Sequence, residues 1–175
     1  LISDKNDCLS STGVIQSRDL KNKIENLIDK PHEIYSSPWA RAKETAEIVF
    51  EGEVINLVNE LAETDPGIYK NWKELDFINS FPNFSENIMN VYEGGESHYE
   101  MANRVTKWYE QELHCRRTEN INVVIVFHGG PISALLQYFV GIACDIKYPL
   151  FTVKNASVSC IRWSEMESHY KVDYI

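Results

Sequence analysis

The run Asn122-Val-Val-Ile-Val-Phe127, followed at once by His128-Gly129-Gly130-Pro131, narrows what this chain can fold into more than any other stretch. An unbroken β-branched run bounded by Asn and Gly reads as a strand buried on both faces, as in a parallel sheet. Pro131 suits the first turn of a helix, and Ile132-Ser-Ala-Leu-Leu-Gln-Tyr-Phe-Val140 supplies its apolar body. Strand, glycine turn and helix together place His128 at the carboxyl end of a strand, beside the positive end of a helix. Open α/β sheets bind ligands there, and backbone amides hold anions there. The same tripeptide also suits a core histidine closing a turn, so the rest of the chain must decide.

Other segments alternate in the same manner. Ser10 or Ser11 can cap a helix whose apolar residues Val14, Ile15, Leu20, Ile24, Leu27 and Ile28 recur at helical spacing, with Pro31 as its stop. Glu33-Ile-Tyr-Ser36 is a short strand, and Ser37-Pro38 opens a helix through Trp39, Ala42, Ala46, Ile48 and Val49. Val54–Val58 is a further strand, Glu96–Leu113 a helix, and Ser157–Trp163 with Tyr170–Ile175 a terminal hairpin. Strands alternating with helices predict a single α/β domain over residues 1–175, a three-layer α/β/α sandwich with a mainly parallel sheet. Between them, residues 64–93 carry Trp72, Phe77, Phe81, Phe84 and Tyr92 without a period, which reads as an irregular cover over a site. A small satellite core is the other reading of the same aromatics.

Charge and cysteine content limit the chemistry. A net charge of −9 opposes nucleic-acid binding, which selects basic surfaces, but leaves room for a small anionic substrate at a local cluster of cations. The four cysteines, Cys8, Cys115, Cys144 and Cys160, form no C-x-x-C pair, so zinc is not expected and a reduced, cytoplasmic setting is. No apolar run is long enough to span a membrane. The sequons at Asn83 and Asn155 are short enough to arise by chance.

Two further segments carry candidate chemistry. Ser36-Ser37-Pro38-Trp39-Ala40-Arg41 hands a strand to a helix with Arg41 in the first turn, and a guanidinium fork matches phosphate and keeps its charge. Leu61-Ala62-Glu63, with Gly67 shortly after, puts a carboxylate at a strand end ahead of the cover, where a raised pKa would make it a general acid. Singly, each is more ordinary as a solvated surface residue. In order, however, Ser-Ser-Pro-x-x-Arg-Ala-x-x-Thr-Ala, Leu-x-Glu-x-x-x-Gly, Gly94-Gly95-Glu96-Ser97 and strand–His-Gly-Gly resemble the histidine phosphatase superfamily, the phosphoglycerate mutase-like group. Leu9-Ser-x-x-Gly13-x-x-Gln16 and Asn155-Ala-Ser157 extend the resemblance to essentially the whole chain.

The resemblance implies a fold and a reaction. Family members pass a phosphoryl group to a histidine in an Arg-His-Gly motif at the end of the first, central strand. Arg41, His128 and the backbone amide of Gly129 would bind the phosphoryl oxygens, and Glu63 would protonate the leaving oxygen. No metal or other cofactor is needed where Arg and His supply the charge stabilisation. The interval after the Leu-x-Glu-x-x-x-Gly motif is compact, which favours a phosphatase acting on a small phosphorylated substrate over a mutase. Yet the chain has no Arg-His-Gly, and His32, His98, His114 and His169 lack that setting. The family's first strand is therefore expected upstream of Leu1, which is not a methionine. A chain that truly lacked that strand would leave its neighbours' backbone groups unpaired. The competing expectation is a catalytically dead module of the same fold that binds phosphate or phosphoprotein.

Overall fold

The computed structural model describes residues 2–28, 30–145 and 148–174, so the expectations at Leu1 and Ile175 lie outside the described residues. Ser10 opens helix α1 (Ser11–Ile24), its hydroxyl accepting from the Gly13 amide. Strand β1 (Glu33–Ser36) leads into α2 (Ala40–Val49), then into a two-residue strand β2 (Asn56–Leu57). After α3 (Glu74–Ser80) come α4 (His98–Glu112), β3 (Val123–Val126) and α5 (Gly129–Phe139). A hairpin of β4 (Cys160–Ser164) and β5 (His169–Tyr174) ends the chain.

The first three strands lie parallel in the order β2-β1-β3, with Tyr35 opposite both Asn56 and Ile125. Period-two alternation then sends successive side chains into two cores. Ile34, Val124 and Val126 face Leu20 and Ile24 of α1 and Val49 of α2, while Tyr35, Val123, Ile125 and Phe127 face Met101, Val105, Trp108 and Leu135 of α4 and α5. The result is the expected three-layer α/β/α sandwich of phosphoglycerate mutase-like class. No helix among the described residues is long and apolar enough to cross a membrane, and the four cysteines are free.

Several sequence expectations need correction. β3 is half-buried along its length instead of fully buried. Both its faces are covered, but among the described residues it pairs only with β1, leaving one edge without a strand. α1 ends at Ile24, well before Pro31, and α2 begins at Ala40 because Trp39 is still extended, with φ −66° and ψ 135°. The strand expected over Val54–Val58 shrinks to Asn56–Leu57, on the sheet edge with Val54 and Leu57 exposed. Glu63 follows a 3-10 turn, Asn59–Leu61, and so lies past the strand end rather than on it. Residues 64–93 contain a helix, α3, and their aromatics pack upon one another around the buried ring of Phe77, 5.0 Å from Tyr69, Phe81 and Phe84.

One close approach joins the two halves of the chain around the sheet's carboxyl edge. The Glu96 amide donates to Asp65 O at 3.0 Å, the Asp65 amide to Glu96 Oε1 at 3.0 Å, and the Ile68 amide to Glu93 O at 2.9 Å. The backbones meet so tightly that a Cβ on Gly95 would sit 2.1 Å from Asp65 O, and one on Gly67 2.0 Å from Glu93 O. Only glycine fits at either crossing, which explains the two glycine motifs as a matched pair. Gly95→Ala is expected to lower unfolding free energy by about 1–3 kcal/mol, the cost of overpacking, measured by urea denaturation. An unchanged midpoint would mean that the crossing relaxes freely.

Candidate active site

The site is assembled where β1 and β3 end. Ser37 continues the ladder, its amide donating to Val126 O at 3.0 Å. Its buried hydroxyl accepts from the Trp39 amide at 3.2 Å and shares a hydrogen bond of 2.8 Å with Nε2 of His128. Ser37 does not cap α2, because the chain stays extended through Trp39 and the helix starts only at Ala40. His128 precedes the first residue of α5, only 6% exposed, with its ring 5.4 Å from Trp39. Burial, and then the charges of Arg41 and Arg104, depress its pKa to about 3, so the imidazole is neutral at neutral pH.

Arg41 projects from the first turn of α2, its guanidinium carbon 4.8 Å from the centre of the Trp39 ring. Nη1 donates to Asp4 O at 3.1 Å, and the Ala40 amide donates to Lys5 O at 2.9 Å. The segment ahead of α1 is thereby laid across the site. Burial lowers the Arg41 pKa, against the opposing pull of Glu63, Asp7 and Asp4, and the guanidinium stays charged.

Glu63 faces this cation from the loop after the 3-10 turn. Oε1 accepts from the Thr64 amide at 2.9 Å and Oε2 from the Gly130 amide at 3.2 Å. The carboxyl is pressed so closely onto the start of α5 that a Cβ on Gly130 would lie 2.3 Å from Oε1. Burial raises its pKa, opposed by those two amides and by Arg41 and Arg104. At Gly129 a Cβ would meet nothing within 4 Å, so backbone at the helix N-terminus faces open space. Among the described residues no cluster of three or more His, Cys, Asp and Glu side chains is placed to hold a metal.

The structure thus brings together all four residues named from sequence: Arg41, Glu63, His128 and Gly129. A guanidinium, an imidazole, the start of a helix and a buried carboxyl thus lie close together at the ends of β1 and β3. The sequence profile of the histidine phosphatase superfamily (branch 1) matches residues 3–172. The chain belongs to the histidine phosphatase superfamily. Among solved structures, a mycobacterial glucosyl-3-phosphoglycerate phosphatase is similar with a TM-score of 0.77 and 25% identity, over 99% of this chain and 90% of its own. An alpha-ribazole phosphatase from Shigella flexneri reaches a TM-score of 0.85 at 17% identity, over 100% of this chain and 87% of its own, a likeness of fold alone. No curated protein matches the chain in sequence.

One residue of this histidine phosphatase site escaped the sequence reading. Arg104, on α4, forks onto Glu96 with Nε 3.0 Å from Oε2 and Nη2 2.6 Å from Oε1. It also donates to the backbone oxygens of Glu60, at 2.6 Å, and of Glu63, at 3.0 Å. Arg104 therefore holds the loop that carries Glu63. The only sequence signal was Glu96, in the Gly-Gly-Glu-Ser motif, two helical turns before an arginine. Next to this, Thr64 Oγ1 lies 2.9 Å from Nδ1 of His98, whose ring packs 5.4 Å from Tyr148.

The buried imidazole has a measurable consequence. An unfolded chain protonates His128 near its ordinary value of 6.5, and the folded chain only near 3. The stability tied to a neutral His128 is therefore intact above pH 6.5 and lost as pH falls from there towards 3, at up to about 1.4 kcal/mol per pH unit. Glu63 has the opposite sign, since its raised pKa makes the folded state hold a proton that the unfolded state releases as pH rises. Comparing unfolding free energies of the unsubstituted protein and His128→Gln between pH 4 and 7 isolates the first effect. The unsubstituted protein is expected to lose stability faster on acidification, and parallel curves would refute a buried neutral imidazole.

Proposed function

We propose that the protein hydrolyses phosphomonoesters of small metabolites through a phosphohistidine intermediate, with the nucleophilic histidine preceding residue 1. The observation that carries this reading is the convergence of Arg41, His128 and the Gly129–Gly130 amides around Glu63, whose pKa burial raises. The histidines of the described residues have other duties. His128 is bound to Ser37, His98 to Thr64, and His114 to Tyr170, the ring of His32 accepts from the Asn122 amide, and His169 lies on the terminal hairpin against Glu167. β3 has an edge with no described partner, and a parallel strand added there would end beside His128, opposite Arg41.

In this reading the upstream imidazole attacks phosphorus while the ester P–O bond breaks. The leaving oxygen takes the proton of Glu63, which emerges as a carboxylate. Arg41, His128 and the Gly129 amide hold the three transferring oxygens. Water then attacks the phosphohistidine, Glu63 takes its proton, and phosphate departs with the histidine regenerated. Cytoplasmic location, a small phosphorylated substrate, and action as a phosphatase rather than a mutase belong to the same proposal, as does the aromatic segment 64–93 acting as a wall of the site. Neither nucleic acid nor membrane has a place in it.

The test is selective for the acid. Glu63→Gln in the complete protein is expected to slow phosphorylation by an alkyl phosphate by roughly 10²–10⁴-fold, since an alkoxide must gain a proton as it leaves. A nitrophenyl phosphate should suffer far less, because nitrophenolate leaves as an anion. Arg41→Ala should damage both alike, because it stabilises the transferring group. Single-turnover rates are needed so that slow breakdown of phosphohistidine does not mask the first step. Equal losses for both esters on Glu63→Gln would place the acid elsewhere. A complete protein that binds vanadate at Arg41 but turns over neither ester would favour the binding-module alternative.

A further inference from the structure

Helix α4 grips the loop of Glu63 at two points. One is Arg104, on the backbone oxygens of Glu60 and Glu63. The other is Thr64, only 7% exposed and engaged through both its amide and its hydroxyl. The amide donates to Oε1 of Glu63 at 2.9 Å, and the hydroxyl lies 2.9 Å from Nδ1 of His98. A single residue thus links an imidazole to the carboxyl of the acid.

His98 is itself fixed. It is the first residue of α4, directly after Ser97, whose buried hydroxyl accepts from the Glu100 amide at 3.1 Å while Glu100 Oε2 accepts from the Ser97 amide at 2.7 Å. That reciprocal cap sets the backbone from which the ring projects. Tyr92 stands edge-on to the ring at 5.8 Å, and Tyr148 packs against it at 5.4 Å. The Tyr148 hydroxyl and Glu63 Oε1 converge over Gly130, where a Cβ would meet them at 2.9 and 2.3 Å. The imidazole is therefore walled in beside the acid. Burial lowers its pKa, against the pull of Glu96, so at neutral pH it serves Thr64 as a hydrogen-bond partner and not as a charge.

We propose that His98 is a positioning residue for the acid step, setting through Thr64 the direction in which the Glu63 carboxyl presents its proton to the leaving oxygen. A general acid must lie within hydrogen-bond reach of the atom it protonates, so its orientation counts along with its pKa. Without His98 the buried Thr64 hydroxyl would be left unsatisfied, and a residue that turns to recover a partner takes its amide off Oε1. This rests on the phosphatase reading above. The test follows single turnovers of glycerol 3-phosphate and 4-nitrophenyl phosphate by the complete protein. His98→Phe keeps a ring between the tyrosines but removes the nitrogen. It is expected to slow phosphorylation by glycerol 3-phosphate about ten- to a hundredfold, the scale of a small misplacement of a reacting group, and by the nitrophenyl ester far less. Thr64→Val, a change of one atom that decides the matter if the new ring disrupts folding, should show the same selectivity. The double variant should lose no more than either alone, because one link is cut twice. His98→Asn, whose amide can take the place of Nδ1, should recover most of the alkyl rate. Equal losses for both esters, no loss for either, or additive losses in the double variant overturn the proposal. If Glu63→Gln separates the two esters and neither His98→Phe nor Thr64→Val does, the positioning role alone falls. If Glu63→Gln fails to separate them, or the complete protein turns over neither, both readings fall.

Discussion

The contact on which this architecture turns is the seating of the Glu63 carboxyl against the start of α5. Two amides, those of Thr64 and Gly130, reach its oxygens, and Gly130 has no room for a Cβ. The loop carrying Glu63 cannot be there unless it is held from behind. Arg104 does this through the backbone oxygens of Glu60 and Glu63, and it is itself aligned by Glu96. Glu96 in turn stands at the crossing where Gly95 and Gly67 let two backbones touch. Arrangement of the acid therefore propagates through glycines that carry no chemistry. A half-buried charge pair such as Arg104–Glu96 adds little net stability, but losing one partner would leave the loop carrying Glu63 without its anchor.

Strand order decides the opposite side of the site. β1 and β3 run parallel, so their carboxyl ends coincide, and the residues just beyond them, Ser37 and His128, meet at 2.8 Å although 91 positions apart. Each strand then feeds a helix whose first turn points back to the same place. Arg41 comes from α2, and Gly129 and Gly130 from α5. Burial first, and then the charges of Arg41 and Arg104, disfavour a protonated imidazole there, so His128 remains neutral.

What was legible in the sequence follows from which of these forces are local. β1 was readable residue for residue because Glu33-Ile-Tyr-Ser36 alternates and its two faces do fill two cores. The cap of α1 by Ser10 is settled within one turn, and α4 was found from the helical spacing of Ala102, Val105, Trp108 and Tyr109, which face one core. The start of α2 was misplaced because Trp39 stays extended before the helix begins at Ala40, a turn of backbone that side-chain spacing does not reveal. α3 was missed because only Phe77 of its seven residues is buried, with Leu75 and Ile78 left exposed, so no apolar period exists to read. Arg104 was missed because its acceptors include main-chain oxygens more than forty residues away, and carbonyls leave no trace in side-chain pattern. Arg41, Glu63 and His128 were found by the order of short motifs, not by any signal each carries alone.

The resting electrostatics also bear on how a phosphatase of this design would time its proton. Without substrate the positive charge of Arg41, although faced by Glu63, Asp7 and Asp4, opposes protonation of His128 and favours ionisation of Glu63. A phosphoryl dianion placed against Arg41 reverses the sign of that field at both groups. Negative charge nearby raises the pKa of an imidazole and of a carboxyl alike. The substrate's charge therefore opposes the depression of the His128 pKa and adds to the rise that burial already imposes on Glu63. Once the ester bond breaks, the leaving oxygen is the strongest base in reach, and the proton moves to it. Burial and the substrate's own charge thus push the carboxyl's pKa in the same direction, which favours its keeping a proton until there is something to protonate.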